Sequence, residues 1–438
     1  MERCKKDGDN INNRDVVKED RISELPEALI LQILSLLPTE DAIATTTTVL
    51  SKRWQSLWKM LPNLKFDSLY NGYELGTFSK NVGKALLSYK APVLQSLHLK
   101  ISLDKCNAKD TAMLIGIAFS RNVRKLVLEV ELGERFIFPE SLYNCETLES
   151  LKVKFSVLMV VPSSVSLKSL RTLKIYYVDF KNNESVSNLF SGCPNLENLV
   201  VYRSTFSNVN TFTIAVPSLQ RLTTCTSNSV DPHEGYVIDA PSLKYLKIIG
   251  TNHIGFFLIK NEPELVEANL TVHYQIVNEN LLGSLTSIKR LSLEILPLNI
   301  KFPTRIIFHQ LVYLEFLTNE AECWNLLTLM LDSSPKLQVL KLINVSNFHM
   351  EDDHVWKWNQ PKNVPECLLF HLETFMWEGY KWSQEGVIEV VKYILSNTNC
   401  LKRATFSSKN ISSEERVIMV KDLSSVVMTS NSCQLLIE

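Results

Sequence analysis

The chain has 438 residues, of which 45% are hydrophobic and 21% charged, and its formal net charge is -1. That length exceeds what one hydrophobic core organises, so it implies several domains or a repeat architecture. A near-neutral chain offers no global attraction for nucleic acid or anionic lipid. It also contains no apolar run on the order of 18 residues, the least that a spanning helix needs.

Residues 1–20 are polar, rich in Asn and Asp and mixed in charge, and are expected to be a disordered tail without the apolar core of a secretory leader. Order is expected from Ile22. Leu25-Pro26 opens an apolar helix that stops at Pro38. Leu29, Ile33, Leu36 and Leu37 recur at helical spacing, and Ile30 and Leu34 form a neighbouring face. Thr39, with Glu40 and Asp41 behind it, is positioned to cap a second helix. Ser51 could cap a third, carrying Trp54 and Trp58. A module of about 45 residues cannot bury both apolar faces of its first helix by itself.

The string Leu25-Pro26-Glu27-Ala28-Leu29-Ile30-Leu31-Gln32-Ile33-Leu34-Ser35-Leu36-Leu37-Pro38 resembles the opening of the F-box. Val49-Leu50-Ser51-Lys52-Arg53-Trp54 and Leu57-Trp58 resemble its continuation. The one departure is Ala28, where many relatives carry an acidic residue. The resemblance covers about residues 21–67 and implies insertion into the Skp-type adaptor of a cullin-RING ubiquitin ligase. Leu25, Pro26, Leu29, Ile33, Leu34, Leu37, Pro38 and Trp54 are the residues it assigns to that contact.

Residues 68–90 are expected to be a helical linker. From residue 91 one pattern recurs, apolar-x-x-apolar-x-apolar. It begins at Leu94-x-x-Leu97-x-Leu99 and is regular to Leu337-x-x-Leu340-x-Leu342. Degenerate copies follow at Leu372-x-x-Phe375-x-Trp377 and Leu401-x-x-Ala404-x-Phe406. The middle residues of the thirteen copies lie 29, 25, 22, 26, 23, 24, 22, 23, 23, 26, 35 and 29 apart. This is the period of leucine-rich repeats, each supplying one strand to a parallel sheet because a single unit cannot bury its own face. Proline often leads in, at Pro92, Pro194, Pro217, Pro241 and Pro335, where it fixes a turn. The usual closing asparagine is mostly missing, which predicts irregular convex segments, some helical and some loop.

Residues 91–360 are thus assigned to leucine-rich repeats and 361–438 to a separate region. Pro365-Glu366-Cys367-Leu368, Met419-Val420-Lys421-Asp422-Leu423 and Ser432-Cys433-Gln434-Leu435 resemble the FBD region of plant F-box proteins. A solenoid exposes an apolar end, so capping is the expected task here. The predicted fold is α/β: a three-helix N-terminal F-box, an irregular leucine-rich-repeat solenoid with a parallel concave sheet, and a C-terminal α+β cap.

No Gly-rich phosphate loop, His-Glu-x-x-His, Cys-x-x-Cys or Gly-x-Ser-x-Gly occurs, so a non-catalytic adaptor without cofactor is expected. His349-Met350-Glu351-Asp352-Asp353-His354 has ligand chemistry, but it lies in a long insertion where solvated loops belong, and no metal is expected. The nine cysteines are scattered and read as reduced thiols of a cytoplasmic or nuclear protein. On the concave face, Lys152, Lys174, Tyr176 and Tyr202 are expected to form one patch for an acidic protein substrate. Neither a nucleic acid nor a membrane is an expected partner. Two readings stay open beside the ligase receptor: a scaffold that does not drive ubiquitination, and a receptor completed by a small molecule on the concave face.

Overall fold

The computed structural model describes residues 25–48, 54–69, 74, 76–131, 134–203, 208–226, 234–250, 255–260, 262–272, 279–295, 306–318, 323–344, 358, 360–379, 382, 385–407, 413–430 and 432–437. The predicted tail, the Ser51 cap and the His349–His354 cluster lie outside them.

Helices α1 (Glu27–Ser35) and α2 (Thr39–Thr48) and a 3-10 turn (Trp54–Met60) form the N-terminal unit. A 15-stranded, all-parallel sheet follows, with its strands in chain order apart from those diverted to side sheets. All thirteen motifs are strands of this sheet, and their middle residues form one continuous row. Leu97 is in register with Leu126, and the row runs through Leu151, Leu173, Leu199 and Leu222. It continues through Leu246, Ala268, Leu291, Leu314 and Leu340 to Phe375 and Ala404. Strand alternation places these residues on the inner face and their neighbours on the open one.

The sheet has one strand more than the motifs at each end, Asn63–Asp67 and Gln434–Ile437. The first lies inside the range assigned to the F-box. The hydroxyl of Thr39, at the start of α2, accepts the Lys65 N–H at 2.7 Å, tying the helical unit to the first strand. Lys90 N–H donates to the Lys59 carbonyl at 2.9 Å and Tyr89 OH to that of Leu61 at 3.1 Å, strengthening the junction.

Four of the five predicted proline turns are present; after Pro92 the Leu94 N–H donates instead to the Arg121 carbonyl at 3.0 Å. Leu196, Leu219, Leu243 and Leu337 each donate an N–H to the carbonyl three residues back, with proline at the second turn position. Where an asparagine ladder is absent, backbone joins the repeats. The Glu197 carbonyl accepts from both Gln220 and Arg221, the Gln220 carbonyl from both Lys244 and Tyr245, and the same fork recurs along the sheet.

Returning segments bear helices α3 (Thr77–Ser88), α4 (Ala108–Ser120), α5 (Asn183–Ser191), α6 (Glu279–Ser284), α7 (Cys323–Asp332), α8 (Glu366–Phe370), α9 (Glu385–Asn397) and α10 (Ser413–Ser424). Asn107 and Asn182 cap α4 and α5, accepting the N–H groups of Asp110 and Ser185 at 2.9 Å. The other returns are not merely helix and loop. Two three-stranded parallel side sheets form there, from Phe136–Ile137, Val157–Met159 and Asp179–Phe180, and from Thr211–Ala215, Gly235–Asp239 and Phe256–Lys260. Their inward Phe180, Phe212, Tyr236 and Phe257 make a row of aromatic contacts with centroids 4.9–5.8 Å apart. The strands approach closely here: a Cβ on Gly255 would lie 1.6 Å from the Glu234 carbonyl oxygen.

Candidate functional site

The first candidate surface is α1. Its two apolar stripes have different fates. Ile30 and Leu34 are 0% and 1% exposed and share a core with Ala42, Trp54, Leu57 and Trp58. Leu29 and Ile33 are 45% and 43% exposed, Leu37 41% and Leu36 86%. Pro26 and Pro38 are exposed at either end, and Leu25 is half-buried. Two residues of the expected docking set are therefore corrected. Leu34 and Trp54 hold the module together and present no surface to a partner. Leu36, noted for its spacing but left out of that set, is the most exposed apolar residue of the face. Four large apolar side chains exposed together on and just after one short helix mark an interaction site rather than ordinary surface.

The second candidate is the open face of the sheet. Lys152 and Lys174 are register partners, as are Tyr176 and Tyr202. The four residues come together as expected. The tyrosine rings are 4.9 Å apart, and the Lys152 ammonium lies 5.6 Å from the Tyr176 ring centre. Burial and the neighbouring ammonium of Lys154 push the Lys152 pKa down. Lys154 pairs with Glu129 at 2.9 Å. Burial works to raise the Glu129 carboxyl, but the Lys154 hydrogen bond and charge outweigh it, so Glu129 titrates below the usual range.

Two aromatic neighbours complete this surface. Phe155, the last residue of strand Ser150–Phe155, and Tyr177, just after strand Thr172–Tyr176, have left-handed backbone, φ 68° and 56°. Their rings stack at 6.2 Å, and Tyr177 meets Tyr202 edge-on at 6.1 Å. Non-glycine residues rarely adopt this conformation, and no sequence signal marked it. Among the described residues, no group of three or more His, Cys, Asp or Glu is arranged to hold a metal ion.

Comparison with known proteins is consistent along the chain. The F-box domain model matches residues 22–66, a model of the leucine-rich repeats of an FBD-associated F-box protein matches 111–256, and the FBD model matches 360–406. The F-box/FBD/LRR-repeat protein At4g13965 of Arabidopsis thaliana is 68% identical, covering 97% of this chain and 98% of its own. The chain belongs to the plant F-box/FBD/leucine-rich-repeat family. The FBD-associated F-box protein At1g55030 of the same plant is 58% identical over 97% of this chain and 99% of its own. The F-box/FBD/LRR-repeat protein At3g52680, also from it, is 51% identical over 98% and 95%.

In this F-box/FBD/LRR protein the FBD match is no detached domain. It contains α8, α9 and the strands Thr374–Glu378 and Arg403–Ser407, which continue the sheet in register. The Trp377 ring stacks on Trp324 of the preceding repeat at 6.0 Å. After the match, α10 and the strand Gln434–Ile437 close the solenoid. Met419 and Leu423 are buried, and Trp382 Nε1–H donates to Asp422 at 2.9 Å. Proteins of F-box/leucine-rich-repeat architecture are generally non-catalytic adaptors of ubiquitin ligases.

Proposed function

We propose that this protein is the substrate-recognition subunit of a Skp–cullin–F-box ubiquitin ligase, with α1 as its adaptor contact and the open sheet face as its receptor. The observation that carries the reading is the split of α1: one stripe builds the module while the other stays uncovered by the described residues. An adaptor groove that takes Leu29, Ile33, Leu36 and Leu37 would bury that stripe. No bond is made by the receptor itself. It holds the substrate beside the charged conjugating enzyme, turning a bimolecular encounter into one of high effective concentration. It operates in the cytoplasm, the nucleus or both, where buried thiols such as Cys106, Cys193 and Cys367 stay reduced.

The test is affinity purification under proteasome inhibition, comparing the full chain with a form lacking residues 25–48. The full chain should bring down both adaptor and cullin together with ubiquitin-modified proteins, and the deletion should lose all of them. Recovery of adaptor without cullin would assign the protein to scaffolding and overturn the ligase reading.

A further inference from the structure

We infer that the open face from strand Ser150–Phe155 to strand Tyr245–Gly250 recognises an acidic protein segment through two separated carboxylates, an inference that rests on the receptor reading above. Across this stretch the registered residues are Lys152, Lys174, Val200, Thr223 and Lys247 in one row. Thr172, Asn198, Arg221 and Tyr245 form the adjacent row. Val200 and Thr223 are short and their neighbours long, so a shallow groove of about 320 Å3 lies over them. It is lined by Thr172, Lys174, Asn198, Arg221, Thr223 and Tyr245 around that floor, without a carboxylate.

Elsewhere on this face cations are matched. Lys100 pairs with Asp67, Lys154 with Glu129, and Lys341 with both Glu315 and Glu378. Lys152, Lys174, Arg221 and Lys247 have no carboxylate within 4.0 Å among the described residues. Arg221 instead lies over the Tyr245 ring at 4.6 Å. Like charges directly opposite on neighbouring strands are unfavourable; Lys154 and Lys174 both repel the Lys152 ammonium while Glu129, beyond 4.0 Å, attracts it, and a bound carboxylate would offset the remaining positive charge.

Spacing selects the anion. Adjacent strands lie about 4.8 Å apart, so one carboxylate fits between the two lysine heads. Arg221 is two strands beyond Lys174 and two residues back along the strand, about 12 Å away, which an extended chain rising about 3.3 Å per residue reaches in about four residues, with both side chains on one face. Thr172, Thr223 and Asn198 supply neutral hydrogen-bond donors between these anchors. Beside them, Tyr176 and Tyr202 offer an apolar shelf for an aromatic or aliphatic side chain. A nucleic-acid strand is disfavoured because it needs a continuous basic stripe, and Glu129 interrupts the cations at Lys154.

The test is fluorescence anisotropy on the full chain with a labelled peptide of three Glu-Ala-Tyr-Ala repeats, its Gln-Ala-Tyr-Ala counterpart and a labelled single-stranded oligonucleotide. The Glu peptide should bind at least tenfold more tightly than the Gln peptide and should weaken with salt as screening shortens from about 10 Å at 0.1 M to about 3 Å at 1 M. The combined variant Lys152→Gln, Lys174→Gln, Arg221→Gln should lose at least tenfold in affinity for the Glu peptide. The charge-matched Lys80→Gln, Lys84→Gln, Lys109→Gln variant on α3 and α4 should lose none. No binding of the Glu peptide, equal binding of the Gln peptide, an unaffected triple variant or tighter binding of the oligonucleotide would each overturn the assignment. Adaptor and cullin recovery, measured on the same triple variant, should be unchanged; its loss in wild type would instead count against the receptor reading.

Discussion

Replacing Leu29, Ile33 and Leu36 together by Ala should abolish stable adaptor docking while leaving the solenoid folded. The magnitude follows from exposure. Full burial of a Leu or Ile side chain is worth about 1.5–3 kcal/mol, and only the part still facing water can be gained on docking. With 45%, 43% and 86% exposed, the three side chains hold about 2.5–5 kcal/mol of unspent burial between them, about half of it at Leu36. At about 1.4 kcal/mol per decade, affinity should fall by roughly 60-fold to several thousand-fold. The cost to folding should be small, because these side chains already face solvent. The contrast is Leu34→Ala, which empties a position only 1% exposed and should cost the module about 2–5 kcal/mol of stability. Isothermal titration with purified adaptor gives the affinity, and thermal unfolding gives the stability. If the triple variant binds as wild type does, the exposed stripe of α1 is not the docking face.

Two further perturbations probe the body. Deleting residues 411–438 removes the fifteenth strand and α10, exposing Ala404, Phe406 and Trp382; size-exclusion chromatography should show aggregation, and a monomer with unchanged unfolding would refute capping. Glu262 is held by burial at a pKa of about 7, with one oxygen accepting from Ala240 N–H. The folded state thus retains a proton that the unfolded chain releases near pH 4.5, so this residue makes stability fall as pH rises from about 4.5 to 7. Glu262→Gln should flatten that slope by on the order of 1 kcal/mol after solvent screening, and denaturant titrations at pH 5 and pH 7.5 with the same slope in both proteins would refute it.

The repeat strands were legible because a single chemical constraint writes them. Each middle residue must fill the gap between its two neighbours, so all thirteen positions stay apolar even where Ala268 or Ala404 replaces Leu. The first strand was just as legible, as Leu61-x-x-Leu64-x-Phe66, but it falls within the stretch that resembles the F-box. The last strand has Ser432 at the leading position and loses the pattern. The side-sheet strands went unread because they are only two to five residues long. Thr211-Phe212-Thr213-Ile214 alternates as a strand should, yet four residues barely establish a period. On α1 the difficulty was of another kind. Leu29 and Ile33 have the same spacing as Ile30 and Leu34, and periodicity cannot say which of two apolar stripes faces inward. Packing decides it: Ile30 and Leu34 share a core with Trp54 and Trp58.

The two candidate surfaces belong to one hydrogen-bonded scaffold, and this bears on how a receptor of this family works. The Thr39 hydroxyl holds Lys65 N–H on the first strand. From there the ladder runs unbroken through Ser96–Ile101 and Lys125–Val130 to the lysine and tyrosine patch. The patch and its adjoining groove occupy the fourth to eighth strands, so at about 4.8 Å per strand their near edge is about 15 Å and their far edge about 34 Å from the first strand. A flexible tether of that reach would spread a bound substrate over a large volume and dilute it near the conjugating enzyme. A paired parallel sheet cannot bend at one strand without breaking several backbone hydrogen bonds. Under the proposed receptor function, the position of the patch along the solenoid therefore fixes where a substrate would be presented. Lengthening the span by inserting a repeat between patch and F-box would move the substrate while leaving both surfaces intact.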